Sequence, residues 1–179
     1  MVEVENIKTA RTRIACVNEV LNRGVVSQTA LVSTTRTYLW EAFMWLGEQL
    51  GTMKQPNPYP TSYDSKSAVI EKTADDFDAP VVETLIAEIK DLDDTGKVKY
   101  LRAVIKEIMN EKVYLAPESA QITKSLSSLT MAKNFLGLIL REIRSTFPSS
   151  VIEQWDAPPV NPAEPVKSEN PRPTGGLGL

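Results

Sequence analysis

One sequence pattern occurs twice in this chain, and it constrains the fold more than any other feature. The pattern is L-x-x-A-x-x-aromatic-L-G-x-x-L, which runs from Leu39 to Leu50 and again from Leu129 to Leu140. Its apolar residues recur every three or four positions, the spacing of one face of an α-helix. Glycine inside a helix costs about 1 kcal/mol relative to alanine, so its presence in both copies indicates close approach of a second helix.

The repeat continues upstream of each copy. The segment "IKTARTRI", from Ile7 to Ile14, matches "VKYLRAVI", from Val98 to Ile105, at nearly the same separation, and pairs Arg11 with Arg102. Because the order of both helices is preserved, the sequence predicts an all-α fold of tandem antiparallel helical hairpins forming a bundle. Independent amphipathic helices that share leucines at the helical period are the alternative.

Capping and breaking residues divide the chain further. Ser27 and Asp78 are expected N-caps, and "DDTG" at 93–96 is expected to separate two helices. We expect helices at about 5–22, 28–52, 79–92, 97–112 and 117–147. The predicted domains are a first hairpin at 1–53, a Pro-rich linker at 54–78, a second hairpin with an extra helix at 79–147 and a disordered Pro-rich tail at 148–179.

The composition excludes most catalytic and metal-binding chemistry. There is no histidine, which is the commonest general base and metal ligand, and no Gly-rich phosphate loop or nucleophile elbow. We therefore expect no enzyme, no cofactor and no metal. The single cysteine, Cys16, lies between apolar neighbours and is expected to be buried. With neither a signal peptide nor an apolar span, the chain is expected in the cytoplasm, without membrane contact.

Charge is unevenly distributed, although the net charge is only −3. Residues 71–94 carry nine acids and two bases, whereas residues 97–147 carry nine bases and four acids. The acidic segment and a pI near 5.2 argue against a protein that binds bulk nucleic acid, which needs a continuous basic stripe. A local basic pocket for a small anion is compatible with this distribution.

Part of the chain resembles a known family. The segment "TYLWEAFMWLGEQLGTMKQPNPYP", preceded by "IKTARTRIACVNEVL", resembles the helical-hairpin domain of bacteriophage anti-CBASS and anti-Thoeris sponges, including their "F-M" pair at Phe43–Met44. The chain departs from that pattern at Gly47 and Glu48. The resemblance implies a non-catalytic oligomer in the cytoplasm of an infected bacterium, which sequesters cyclic di- or trinucleotides or cyclic ADP-ribose-type signals.

Sequestering such a ligand needs cations for its phosphates and flat side chains for its bases. Arg11 and Arg102 are preferred because they recur in the repeat, and a solvated helix face is the alternative for each cation. The candidate ligand-binding residues are Lys8, Arg11, Arg36, Tyr38, Lys99, Tyr100, Arg102 and Lys133.

Three further apolar residues, Trp40, Phe43 and Met44, lie off the main apolar stripe of their helix and are expected to form an oligomer interface, with a trimer of tandem hairpins as the expected assembly. The alternative function is a structural or adaptor helical bundle, such as a virion or chaperone component, that acts through protein–protein contacts.

Overall fold

The computed structural model describes residues 3–55 and 78–145, which form six α-helices and contain no strand. The predicted all-α fold is confirmed. The predicted tail at 148–179 and nearly all of the predicted linker at 54–78 lie outside the described residues, which all belong to one compact unit, Met1–Thr146. The helices are α1 (Val4–Asn22), α2 (Ala30–Thr52), α3 (Ala79–Ile89), α4 (Asp94–Met109), α5 (Lys112–Leu115) and α6 (Ala120–Ser145).

Four of these helices form a ring in which every neighbouring pair is antiparallel. The hairpin of α1 and α2 packs through α2 against α6, and α6 packs against α4. The ring closes where α4 contacts α1, and α3 lies against both of these helices. The most extensive contact between the six described helices joins α2 to α6, so these two helices hold the hairpins together.

The contact between α2 and α6 contains both polar and aromatic pairs. The buried Ser125 hydroxyl donates to the Ala42 carbonyl at 3.0 Å and lies 2.8 Å from the hydroxyl of Tyr114. The rings of Tyr38 and Phe135 stack with their centroids 5.4 Å apart. Positions along α2 fall as those along α6 rise, from Ala42 with Ser125 to Tyr38 with Phe135, which establishes the antiparallel arrangement.

The repeat in the sequence corresponds to a repeat in packing. Residues at matching positions are fully buried in both hairpins, because each amphipathic helix turns the same stripe towards the common core. The fully buried pairs are Ile7 with Val98, Ile14 with Ile105, Leu39 with Leu129, Ala42 with Ala132 and Leu46 with Leu136. The two hairpins are therefore related by an approximate twofold axis that passes between α2 and α6 and between α1 and α4.

Ion pairs also connect the hairpins at the surface. Arg13 of α1 bonds Glu111 at 2.5 Å and Glu107 at 3.4 Å, and Arg23 bonds Glu83 at 2.5 Å. Burial raises the pKa of the Glu111 carboxyl, and the charge of Arg13 opposes that shift. The pair between Arg23 and Glu83 is exposed and contributes little stability, whereas the pair between Arg13 and Glu111 is partly buried.

Several predicted helix ends are wrong, each for a local reason. The N-cap of α2 is Thr29, whose hydroxyl accepts from the Val32 N–H, while Ser27 donates to Asp94 at 2.6 Å. The "DDTG" segment does not separate the two helices, because α4 begins within it, at Asp94. Asp93 is the N-cap of α4, and its carboxylate accepts from the Gly96 N–H. The predicted Asp78 cap is confirmed, and the short helix α5 was not predicted.

Cys16 is buried as predicted, with 1% of its surface exposed. Its thiol lies 3.7 Å from the carbonyl oxygen of Asp78, at the start of α3. Burial raises the pKa of the Cys16 thiol to about 11, because the charged thiolate is disfavoured away from water. The residue therefore acts as a small core side chain rather than as a reactive group.

Replacing Ser125 with alanine tests the contact between α2 and α6. The substitution removes the hydroxyl that bonds both Tyr114 and Ala42, so we expect the free energy of unfolding to fall by about 1–3 kcal/mol in urea denaturation. In a Tyr114→Phe background the same change should cost at least about 0.5 kcal/mol less, because no buried phenol loses its partner. Equal costs in the two backgrounds would contradict this account of the contact.

Thiol labelling tests the environment of Cys16. Because thiol reagents attack the thiolate, we expect labelling at pH 8 to be more than about 100-fold slower in the native protein than in urea-unfolded protein. The measurement is the release of the chromophore from an aromatic disulfide reagent with time. A native rate close to the unfolded rate would show that Cys16 is accessible and ionised, against its burial.

Candidate functional site: a cationic groove

A groove of about 570 Å³ lies between α4 and α6, and we call it the α4/α6 groove. It opens to solvent along the outer edge of the second hairpin. Eight residues line it: Lys99, Arg102, Asn134, Gly137, Leu138, Leu140, Arg141 and Arg144. The volume lies within the range of about 300–1,000 Å³ that is typical of small-molecule sites.

Helical spacing explains why these residues meet. On α4, Lys99 and Arg102 are one turn apart and both are exposed. On α6, Asn134 and Arg141 are seven positions apart and Arg141 and Arg144 are three apart, so they share a face of the helix. Because α4 and α6 are antiparallel, the first half of α4 lies beside the last half of α6. The two short runs of cations therefore meet in one place.

The groove is strongly positive. Four of its eight lining residues are cations and none is an acid, in a chain whose net charge is −3. Some of this charge has a structural role, because Arg144 lies in the last turn of α6, where a cation interacts favourably with the helix dipole. That effect falls off within one turn, so it does not account for Lys99 and Arg102 on the neighbouring helix.

Arg102 lies across Gly137, and Arg11 lies across Gly47 in the first hairpin. A Cβ atom at Gly137 would lie 3.8 Å from Arg102 Nε, and one at Gly47 would lie 3.4 Å from Arg11 Nε. The glycine was expected to mark close approach of a helix backbone. In both hairpins its nearest neighbour is instead an arginine side chain that crosses the helix surface, at the distance of an ordinary van der Waals contact.

The equivalent arginine of the first hairpin is in a different environment. Arg11 is only 8% exposed, and its guanidinium carbon lies 3.6 Å from the centroid of the Phe43 ring. Trp40 stacks on Phe43 in turn, with the ring centroids 5.0 Å apart. A guanidinium over an aromatic face is held by the ring quadrupole, so Arg11 is part of the packed structure of this hairpin.

The predicted ligand-binding residues divide into two groups. Lys99 and Arg102 line the α4/α6 groove, whereas Lys8 and Arg11 are each 8% exposed in the first hairpin. The other four predicted residues do not line that groove: Arg36, Tyr38, Tyr100 and Lys133.

Two of the residues outside the groove were predicted to stack on bases, and both contact other protein groups. Tyr38 packs on Phe135, and the Tyr100 hydroxyl donates to Glu88 of α3. Partial burial, reinforced by that hydrogen bond, raises the pKa of Tyr100 to about 12. Arg36 is half-buried, with its Nε atom shielded from solvent.

The predicted oligomer interface is partly wrong. Phe43 is 2% exposed, because it packs between the core and Arg11, so it offers no surface to a partner. Trp40 and Met44 are 45% and 53% exposed and remain candidates for such an interface.

Arg141 and Arg144 were missed by the sequence analysis. Their signal is present, since they follow Gly137 at helical spacing in "GLILREIR". Arg141 was missed because cations that recur in both copies were preferred and its counterpart is Gly51, whereas Arg144 and its counterpart Lys54 lie beyond the repeat pattern, which ends at Leu50 and Leu140.

Searches for other sites and for related proteins add constraints. Among residues 3–55 and 78–145, no three acidic, Cys or His side chains are placed to hold a metal ion. Nor does any helix in this part of the chain combine the length and apolar character needed to cross a bilayer. No family model, no curated protein and no solved structure matches the chain.

Two matched alanine substitutions test the different roles of the repeated arginines. Arg11→Ala should lower the free energy of unfolding by about 2 kcal/mol, because it removes a buried guanidinium–aromatic contact. Arg102→Ala removes an exposed side chain and should change stability by less than about 0.5 kcal/mol. Urea denaturation of both variants gives the comparison, and equal losses would contradict the asymmetry between the hairpins.

Proposed function

We propose that this protein binds, without converting it, a small ligand that carries two or more phosphate groups, and that the α4/α6 groove is the site. The observation that carries this proposal is the convergence of Lys99, Arg102, Arg141 and Arg144 on one groove with no acid in its lining. Arginine suits this task because its planar guanidinium makes two parallel hydrogen bonds to a phosphate.

The ligand class follows from combining the groove with the sequence resemblance. Cyclic di- and trinucleotides and cyclic ADP-ribose-type signals carry several phosphates on a compact ring, and the groove supplies several cations over a short distance. No aromatic side chain lines the groove, so bases would rest on the apolar surface of Leu138 and Leu140 and on guanidinium planes, which also stack on bases. A phage sponge that lowers the free concentration of an immune signal would work in this way.

Binding without catalysis is supported by the kind of side chains in the groove. Its polar residues are three arginines, a lysine and Asn134, none of which serves readily as a general base at neutral pH. Charge neutralisation and orientation are the chemistry that such a set performs best. Sequestration needs nothing more than these two effects and a slow release of the ligand.

A thermal-shift screen of the full chain tests the proposal. The panel contains cyclic di- and trinucleotides and cyclic ADP-ribose isomers, each recovered afterwards and checked for chemical change. A ligand at a hundredfold excess over its Kd stabilises the folded state by about 2.7 kcal/mol, so the midpoint should rise by about 5–10 °C. Recovery of the ligand unchanged is the expected result.

Charge reversal in the groove gives the matched control. Arg141→Glu should weaken binding about 10–100-fold, because a charge-assisted hydrogen bond is lost and a repulsion is added. Lys90→Glu changes the charge equally at an exposed position outside the groove and should leave the affinity unchanged. No midpoint shift with any ligand in a cooperatively folded sample, or equal effects of the two variants, would refute the proposal.

The exposed Trp40 and Met44 favour a second candidate function, protein–protein association. Large apolar side chains on the surface of one helix are typical of interfaces, either with a second copy of this chain or with a partner protein. Light scattering of the wild type and of Trp40→Glu measures the first of these. A larger mass for the wild type alone would indicate self-association through this surface, as expected for a homo-oligomeric sponge.

A further inference from the structure

The approximate twofold axis gives the α4/α6 groove a counterpart on the first hairpin, between α1 and α2. Matching positions place Lys8 with Lys99, Arg11 with Arg102 and Gly47 with Gly137. The same backbone frame, with a lysine and an arginine on one helix and a glycine on the other, therefore occurs twice. This lysine and arginine are exposed in only one copy. Lys99 and Arg102 are exposed, whereas Lys8 and Arg11 are each only 8% exposed.

The residue one turn before the glycine differs between the copies. In the first hairpin it is Phe43, whose ring lies under the Arg11 guanidinium. In the second it is Lys133, which offers Arg102 no aromatic face and carries the same charge. An aromatic ring attracts a guanidinium, whereas a lysine repels it. At position 133 no ring attracts the Arg102 guanidinium to α6, although Arg102 passes over Gly137.

Two other positions around the first frame also lack positive charge, although Lys54, the counterpart of Arg144, is an exposed cation just beyond the end of α2. In the first hairpin the counterpart of Leu138 is an acid, Glu48, and the counterpart of Arg141 is Gly51, which carries no charge. Glu48 is exposed beside this frame. A phosphate at the first hairpin would meet a carboxylate, two largely buried cations and Lys54 alone as an exposed cation at a matching position, which makes that face a poorer anion site than the α4/α6 groove.

We propose that the side chain at the position shared by Phe43 and Lys133 determines whether the repeated arginine is available to an anion. Phe43 holds Arg11 against its ring, so Arg11 is not available to an anion in the first hairpin. Lys133 leaves Arg102 free to bind phosphate in the second. Each chain therefore binds one polyphosphate-bearing ligand. This inference rests on the proposed function of the α4/α6 groove, and it requires of the side chain at position 133 only that it is not an aromatic ring that captures Arg102.

A pair of substitutions at Lys133 separates the effect of the ring from loss of the lysine. The probe is inorganic pyrophosphate, titrated into the full chain and followed by ³¹P NMR. Lys133→Phe recreates the first-hairpin arrangement and should weaken pyrophosphate binding at least tenfold, whereas Lys133→Ala should change the affinity less than threefold. Adding Arg102→Ala to Lys133→Phe should have little further effect, although Arg102→Ala alone weakens binding.

A second readout does not depend on binding. In the Lys133→Phe protein, the side-chain protons of Arg102 should shift upfield by the ring current, as those of Arg11 do in the wild type, and no such shift should occur in Lys133→Ala. Absence of that shift in a folded Lys133→Phe protein would overturn the proposal. A shift with unchanged pyrophosphate affinity would also overturn it, because capture of the arginine would then have no effect on the site.

Failure of the proposed function gives a different pattern. If the wild type binds neither pyrophosphate nor any ligand of the nucleotide panel, the groove is not an anion site and the binding part of this inference falls with it. Equal loss of affinity in Lys133→Phe and Lys133→Ala would instead show that Lys133 itself contacts the anion. That result would refute this inference and leave the proposed function standing.

Discussion

The antiparallel contact between α2 and α6 is the constraint on which the rest of the structure depends. Alanines at matching positions, Ala42 and Ala132, let the two helices approach closely, and leucines on either side fill the core. The buried Ser125 hydroxyl at this contact bonds two partners, Tyr114 and the Ala42 carbonyl. Because α1 is attached through α2 and α4 through α6, the placement of both outer helices follows from this one seam.

Much of this arrangement was predictable from the sequence, because the repeat encodes it. Helix positions and the pairing of Arg11 with Arg102 follow from the apolar period and from the shared glycine. Helix ends were less predictable, since several residues compete to cap each helix. Thr29 caps α2 because Ser27 bonds Asp94, a residue distant in sequence, and no local pattern reports such a partner.

The candidate site was only half predictable, for a different physical reason. Lys99 and Arg102 were identified through the repeat, but a repeat emphasises what two copies share, whereas this groove depends on what only one copy has. Arg141 and Arg144 resemble ordinary bases near a helix C-terminus and become distinctive only when α4 lies beside them. Conversely, Phe43 was expected to be an exposed apolar residue, whereas in the structure the Arg11 guanidinium covers its ring.

The order of helices around the ring has a consequence for how the molecule meets its surroundings. The edge formed by α1 and α2, which carries Trp40 and Met44, is opposite the edge formed by α4 and α6. A protein docked at the first edge would therefore leave the second open to solvent. In an assembly built through Trp40, the grooves would face outwards as separate compartments. The amount of bound ligand would then rise in proportion to the number of chains. Its dependence on ligand concentration would be hyperbolic rather than sigmoidal.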